Sequence, residues 1–387
     1  MSPLRVTPPT ARRFMRRALL LDEPAPDIAT ALNHHGYIQI DPLNVCGRMH
    51  DLILRNRVRD YGEGGLMRHL HGGKNPLPAA QRTAFEHHLP STGILVAFPL
   101  DAWPHLLAAN ATRTRRTSAW SGRLTPRERE LSVHLLAEIA ARGPLGSEDF
   151  DDERRARRVW GAMRLAKSTL QKLFFHGRLL IARRGDGHRR LYDLPERVLP
   201  PFTLAAKEPS RDETDRWLVL ITLRQRRLVL LKKKDLPLVA DLVQAVQVEG
   251  CPTLHCLRSD LPLFELLAAP KPGEGGPAHS SGSALTSVEG LPAPSHLLAP
   301  LDPLIYDRRV TSALWGFDYT WEAYTPPTKR LRGYYALPVL AGLEQIGHVD
   351  PKADRKKRRL QVVSRRIRRG HQIPPAVKQL AAFLGLK

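Results

Sequence analysis

Cysteine is scarce: the 387 residues contain three, Cys46, Cys251 and Cys256. A disulfide framework is excluded on that count, and small thiols in a reducing compartment are expected. Cys251 and Cys256 flank His255, but the spacing fits no standard zinc set and offers no fourth ligand. No metal or cofactor is therefore expected. Long apolar runs are missing too. None approaches the roughly 18 to 20 residues of a membrane span, and Met1 to Arg17 has Arg and Pro where a signal peptide has its apolar segment. The expected location is the cytoplasm, in association with the nucleoid. Acid is the most telling deficit, with 38 Asp and Glu against 60 Lys and Arg, a formal charge of +22. An excess of that size calls for a polyanionic partner, of which nucleic acid is the commonest.

The pattern along the chain predicts an α+β protein: tandem winged-helix (helix-turn-helix) units followed by a C-terminal β-rich, barrel-like domain. Residues 1–120 read as an N-terminal winged-helix-like unit. Within it, Ala11 to Leu21 is an amphipathic helix with Arg12, Arg13, Arg16 and Arg17 on its polar side. Asp27 caps a second helix that ends at His35, because Gly36 supplies a left-handed stop. Residues 121–205 give the clearest pattern. Thr125-Pro126 opens one helix, Val159 to His176 forms another, and a hairpin follows, turning at Gly185-Asp186-Gly187. Its strands hold Arg183, Arg184, His188, Arg189 and Arg190, as a wing that touches phosphates should.

Residues 206–268 read as a second winged-helix-like unit, with a helix over Leu236 to Val246 and a strand at Thr253 to Leu257. Residues 269–295, rich in Pro, Gly, Ser and Ala, read as a flexible loop. Residues 296–387 complete the chain. Their aromatics between 306 and 335 are expected mostly in a core, and a basic tail from Lys352 to Arg369 has ten basic residues and one acid.

One short segment points to chemistry. Gln39-Ile40-Asp41 sits in a stretch that reads as a strand from Tyr37, closed by Pro42. Side chains spaced i, i+2 on a strand share a face, with Cα atoms roughly 6.6 Å apart. An amide and a carboxylate so placed, facing out while Ile38 and Ile40 face in, can hold one water between them. The same residues also fit a plainer role, capping a helix that begins near Leu43. Arg48 and His50 would lie on that helix, either positioning a phosphate or the pair, or simply on its surface.

Several stretches together resemble a known family, the winged-helix DNA glycosylases that unhook interstrand crosslinks (YcaQ-like, related to the azinomycin-resistance glycosylase). They are Gly36-Tyr37-Ile38-Gln39-Ile40-Asp41-Pro42, Arg48-Met49-His50, Gly143 to Phe150, Leu191 to Arg197 and Leu301 to Arg309. Gly316-Phe317-Asp318-Tyr319 with Glu322 and Tyr324, and Lys329 to Tyr335, complete the set. Where the family has an aromatic Glu-Tyr-Trp-Ala-His segment, this chain has Phe85-Glu86-His87-His88-Leu89-Pro90.

The resemblance implies a monofunctional, metal-independent glycosylase acting on N7-alkylpurines or crosslinked bases in duplex DNA, working as a monomer. Gln39 and Asp41 would be catalytic, with Arg48 and His50 in support. Duplex contacts would come from the wing and from Arg308, Lys329, Arg330, Arg332, Arg355, Lys356 and Lys357. A non-catalytic winged-helix transcriptional regulator is the alternative, and it predicts that Gln39 and Asp41 are dispensable. A nuclease would need a cluster of acidic metal ligands, which the sequence does not offer.

Overall fold

A computed structural model describes residues 2–73, 75–150, 164–268 and 295–387. Its strands are β1 (Leu4–Val6), β2 (Ile38–Gln39), β3 (Ala84–His88), β4 (Leu95–Pro99), β5 (Leu180–Arg184), β6 (Arg190–Asp193), β7 (Val243–Val248), β8 (Leu254–Leu257), β9 (Ser295–Leu297), β10 (Leu337–Ala341), β11 (Glu344–Asp354) and β12 (Arg359–Ile367). The chain divides into two units, each built from separated segments. One comprises 1–35, 41–63 and 219–387, the other 36–40 and 64–218.

In the first unit the helix Pro8–Ala18 opens on Thr7, whose hydroxyl accepts from the Thr10 N–H. Its apolar stripe of Ala11, Phe14, Met15 and Ala18 is buried, and Phe14 stacks on Phe264 with ring centroids 3.9 Å apart. Arg16 departs from the expected polar side. It is buried, with Nε 3.0 Å from Asp22. Strands β1, β7 and β8 form a three-stranded sheet, with β1 parallel to β7. The helix expected over Leu236 to Val246 stops at Val239, and β7 takes up the rest. Val243, Val246 and Val248 are β-branched, and burying them against the sheet overrides the helical reading.

The C-terminal strands form an open sheet in the order β12-β11-β10-β9, with no closed barrel among the described residues. The long pair β11–β12 also corrects the expected basic tail, which is folded as a hairpin. In the same unit, Arg57 and Asp302 are fully buried and joined by two hydrogen bonds of 2.9 and 2.6 Å, while Asp302 also accepts from the Leu304 N–H.

In the second unit β2, β4 and β3 form an antiparallel sheet with β4 in the middle. The helix Pro126–Arg142 begins in a capping box. Thr125 Oγ1 accepts from the Glu128 N–H, and Glu128 accepts from the Thr125 N–H at 2.8 Å. Glu128 also accepts from Lys172 Nζ at 2.7 Å and from Ser168 Oγ at 2.7 Å, which ties this helix to Leu165–Phe175. The hairpin β5–β6 follows, and Leu145 pairs with Tyr192 to extend it. Helix, helix and hairpin thus come in the expected order. The residues before Arg164 in the expected helix, and the expected loop 269–295 apart from Ser295, lie outside the described residues.

Candidate active site

The Gln39 segment is placed by the sheet it joins. Gly36 stops the helix Ile28–His35 with φ of +79°. Ile38 then pairs with Ala97 and Gln39 with Val96, and the Ile40 N–H donates to the Leu95 carbonyl at 2.9 Å. The outward orientation expected for Tyr37, Gln39 and Asp41 is not met. Gln39 is 6% exposed, Asp41 9% and Tyr37 2%. Both faces of this short strand are covered, so the alternation of in and out collapses.

Gln39 Oε1 is buried and has no hydrogen-bond partner among the described residues. That is an expensive state for an amide oxygen unless a small donor joins it. The division between the two units falls at the Ile40–Asp41 peptide. Asp41 starts a turn: its Oδ1 accepts from the Leu43 N–H at 2.9 Å. It caps no helix at Leu43, since the next helix is Met49–Leu54. Burial raises the proton affinity of Asp41, and the Leu43 hydrogen bond offsets part of that.

The turn after Asp41 is held on several sides. Arg48 donates to the Pro42 carbonyl at 3.2 Å, Asn44 accepts from the Gly47 N–H, and the Ala353 N–H donates to the Val45 carbonyl. Arg48 therefore sits against the backbone that follows Asp41. His50 is buried rather than on the helix surface, with Nε2 3.8 Å from Asp51, and Asp51 accepts from the Tyr61 hydroxyl at 2.6 Å.

Two tyrosines feel the Asp41 charge, Tyr324 and Tyr335, whose phenols are both raised by burial first and by nearby anions second. Tyr335 is fully buried, and Trp315 and Tyr319 are buried with it. Tyr306, Phe317, Trp321 and Tyr334 are only partly buried, so the expected core holds a minority of these aromatics. Tyr324 is 75% exposed. The sequence places Tyr324 in a matching motif but does not disclose its exposure, because nothing in an aromatic-rich stretch distinguishes the ring left outside.

The basic residues separate into those that reach solvent and those spent on the fold. On the hairpin β5–β6, Arg184 turns inward to Glu86, with Nε 2.9 Å from its carboxylate. Glu86 also meets His71 Nε2 at 2.6 Å, and these two partners hold its carboxyl well below the usual range despite burial. Arg183, His188 and Arg68 line a cleft of about 410 Å³ beside this network. Arg189 pairs with Glu148 at 3.6 Å, and Arg190 lies over the Phe174 ring.

In the other unit Arg308, Lys329, Lys356 and Lys357 are exposed. Arg355 pairs with Glu63, and Arg330 and Arg332 donate within their own loop. Among the described residues no three His, Cys, Asp or Glu side chains are grouped to hold a metal, and no helix is long and apolar enough to cross a membrane.

Comparison with known proteins gives this arrangement its context. The family described as DNA glycosylase AlkZ-like matches residues 32–384, nearly the whole chain. The chain belongs to the AlkZ-like DNA glycosylases. Streptomyces sahachiroi DNA glycosylase AlkZ is similar in fold, with a TM-score of 0.58 at 16% identity, covering 99% of this chain and 97% of that one. The resemblance carried by the Gln39 and Asp302 motifs thus extends to an AlkZ-like fold, and the protein is a DNA glycosylase of mixed α+β structure.

Proposed function

We propose that this glycosylase hydrolyses the N-glycosidic bond of N7-alkylpurines and crosslinked purines in duplex DNA, with Gln39 and Asp41 managing the attacking water. The observation that carries this reading is the buried, partnerless Oε1 of Gln39, two residues from a carboxylate whose proton affinity burial has raised. A water donating one hydrogen to Gln39 Oε1 and the other to Asp41 satisfies both groups. An N7-alkylated purine is already cationic, so the C1′–N9 bond breaks with its electron pair leaving on the base, which departs neutral. No general acid is needed. Water oxygen bonds to C1′ while its proton passes to Asp41, and the anion stabilises the oxocarbenium-like sugar on the way. A positioned base contributes typically 10²–10⁴-fold, and the scheme parallels an inverting glycosidase without its acid.

The helix-helix-hairpin at 126–193 acts as a winged helix, and its exposed cations, with those of β11–β12, grip phosphates. A crosslinked base cannot swing into a closed pocket, so the site works along the duplex of a single enzyme monomer in the cytoplasm. The test is a duplex with one N7-methylguanine, incubated in EDTA. Strand breaks that appear only after alkali are expected. Absence of abasic sites would sink the reading, and breaks before alkali would refute a monofunctional enzyme.

A further inference from the structure

The segment between the helix Arg308–Trp315 and β10 has almost no regular structure, yet its backbone is fixed from two sides. Glu322 Oε2 accepts from the N–H groups of Leu331, Arg332 and Gly333 at 2.9, 2.7 and 3.3 Å. Asp350, on β11, accepts from those of Tyr334 and Tyr335 at 2.9 and 3.0 Å. Arg330 and Arg332 add bonds to the carbonyls of Thr325 and Asp318.

On this frame Trp321 stands edge-on to both Tyr324 and Tyr335, with centroids 5.5 and 5.8 Å apart. Tyr335 is buried, whereas Tyr324 is 75% and Leu331 85% exposed. A mobile loop could leave such groups outside at little cost; a loop pinned by five backbone hydrogen bonds holds them there. Asp41 belongs to the same unit, and the turn that follows it hangs on the same strand as this loop. On β11 the Ala353 N–H donates to the Val45 carbonyl while Asp350 holds the Tyr334 and Tyr335 N–H groups, and the Asp41 charge is felt at the Tyr324 hydroxyl. The partner expected for the ring is therefore the group that approaches Asp41.

Resting on the proposed N7-alkylpurine chemistry, we infer that Tyr324 is a specificity-determining residue whose ring stacks on the damaged base and favours the cationic purinium over a neutral purine. A ring face attracts a cation through its quadrupole, while a neutral base gains stacking alone. Base–aromatic stacking in nucleic-acid complexes is sequence-tolerant, so the preference follows charge rather than base identity.

The test compares affinities for a duplex holding a 2′-fluorinated, cleavage-resistant N7-methylguanine and for the same unmodified duplex. The wild-type chain is expected to prefer the first. Tyr324→Ala should lose about tenfold of that preference, and Tyr324→Phe should keep it, since the ring acts and not the hydroxyl. Because Tyr324 is exposed, the alanine variant should melt with the wild type.

An undiminished preference in Tyr324→Ala, or a Phe variant as impaired as Ala, overturns the inference. So does a wild type that shows no preference. Cleavable N7-methylguanine duplex run alongside separates the two levels. Failure of the wild type to release that base counts against the proposed chemistry. Release by the wild type with an unchanged Ala preference counts against Tyr324 alone.

Discussion

Burial raises the proton affinity of the Asp41 carboxylate, and the single hydrogen bond from the Leu43 N–H recovers only part of the cost. Two consequences follow at this residue. The proposed water activation needs the anion, so the rate should fall as pH drops through the raised value. The acidic limb of a single-turnover pH profile should then lie above the ordinary carboxylate range. A limb at or below that range would contradict the role of Asp41 as base. The second consequence concerns stability. The fold favours the neutral form, so the charge is a cost at neutral pH. Asp41→Asn should therefore melt at the wild-type temperature or slightly above it, and a loss of several degrees would show that the anion instead supports the fold.

Glycine at 333 is required by the element that presents Tyr324. Its φ of +131° lies where side chains rarely go, and an added Cβ would overlap the Asp350 carboxylate. Gly333→Ala should cost roughly 2–4 kcal/mol in denaturant unfolding, with a cost under half a kcal/mol telling against the pinned loop.

The buried pair Arg57–Asp302 makes a comparable case. Asp302→Ala leaves an uncompensated guanidinium and should destabilise by about 3–5 kcal/mol.

These elements also show what the chain could and could not disclose beforehand. The stop at Gly36, the Asp27 start and the Gly185-Asp186-Gly187 hairpin were legible because local backbone geometry selects their residues. The sequence reads Val243 to Val246 as the end of a helix because the spacing of these valines serves both periods, and only tertiary packing decides for the strand. Gln39-Ile40-Asp41 was legible as a motif, but its burial was not. Whether both faces of a two-residue strand are covered is set by tertiary packing, which a period of two does not report.

At the scale of the whole molecule, charge and pH set the behaviour. His34, His87 and His88 are held neutral by burial, with pKa values lowered from 6.5 to about 4, 3 and 3. The unfolded chain binds protons at these sites first. Stability is thus intact above pH 6.5 and is lost as pH falls below it, on the order of 3 kcal/mol per histidine by pH 4. Thermal melts should drop steeply across that window, and a flat profile would refute the neutral burial of these rings.

Exposed Lys356 and Lys357 on the turn of the β11–β12 hairpin should each lower the salt slope of duplex binding by about one when replaced by Ala. Grip and chemistry therefore reside in different residues, and one comparison separates them. Single-turnover base release from an N7-methylguanine duplex should fall at least 10²-fold in Asp41→Asn, while its affinity for that duplex stays within about twofold of wild type. Equal release by the two proteins would contradict the account.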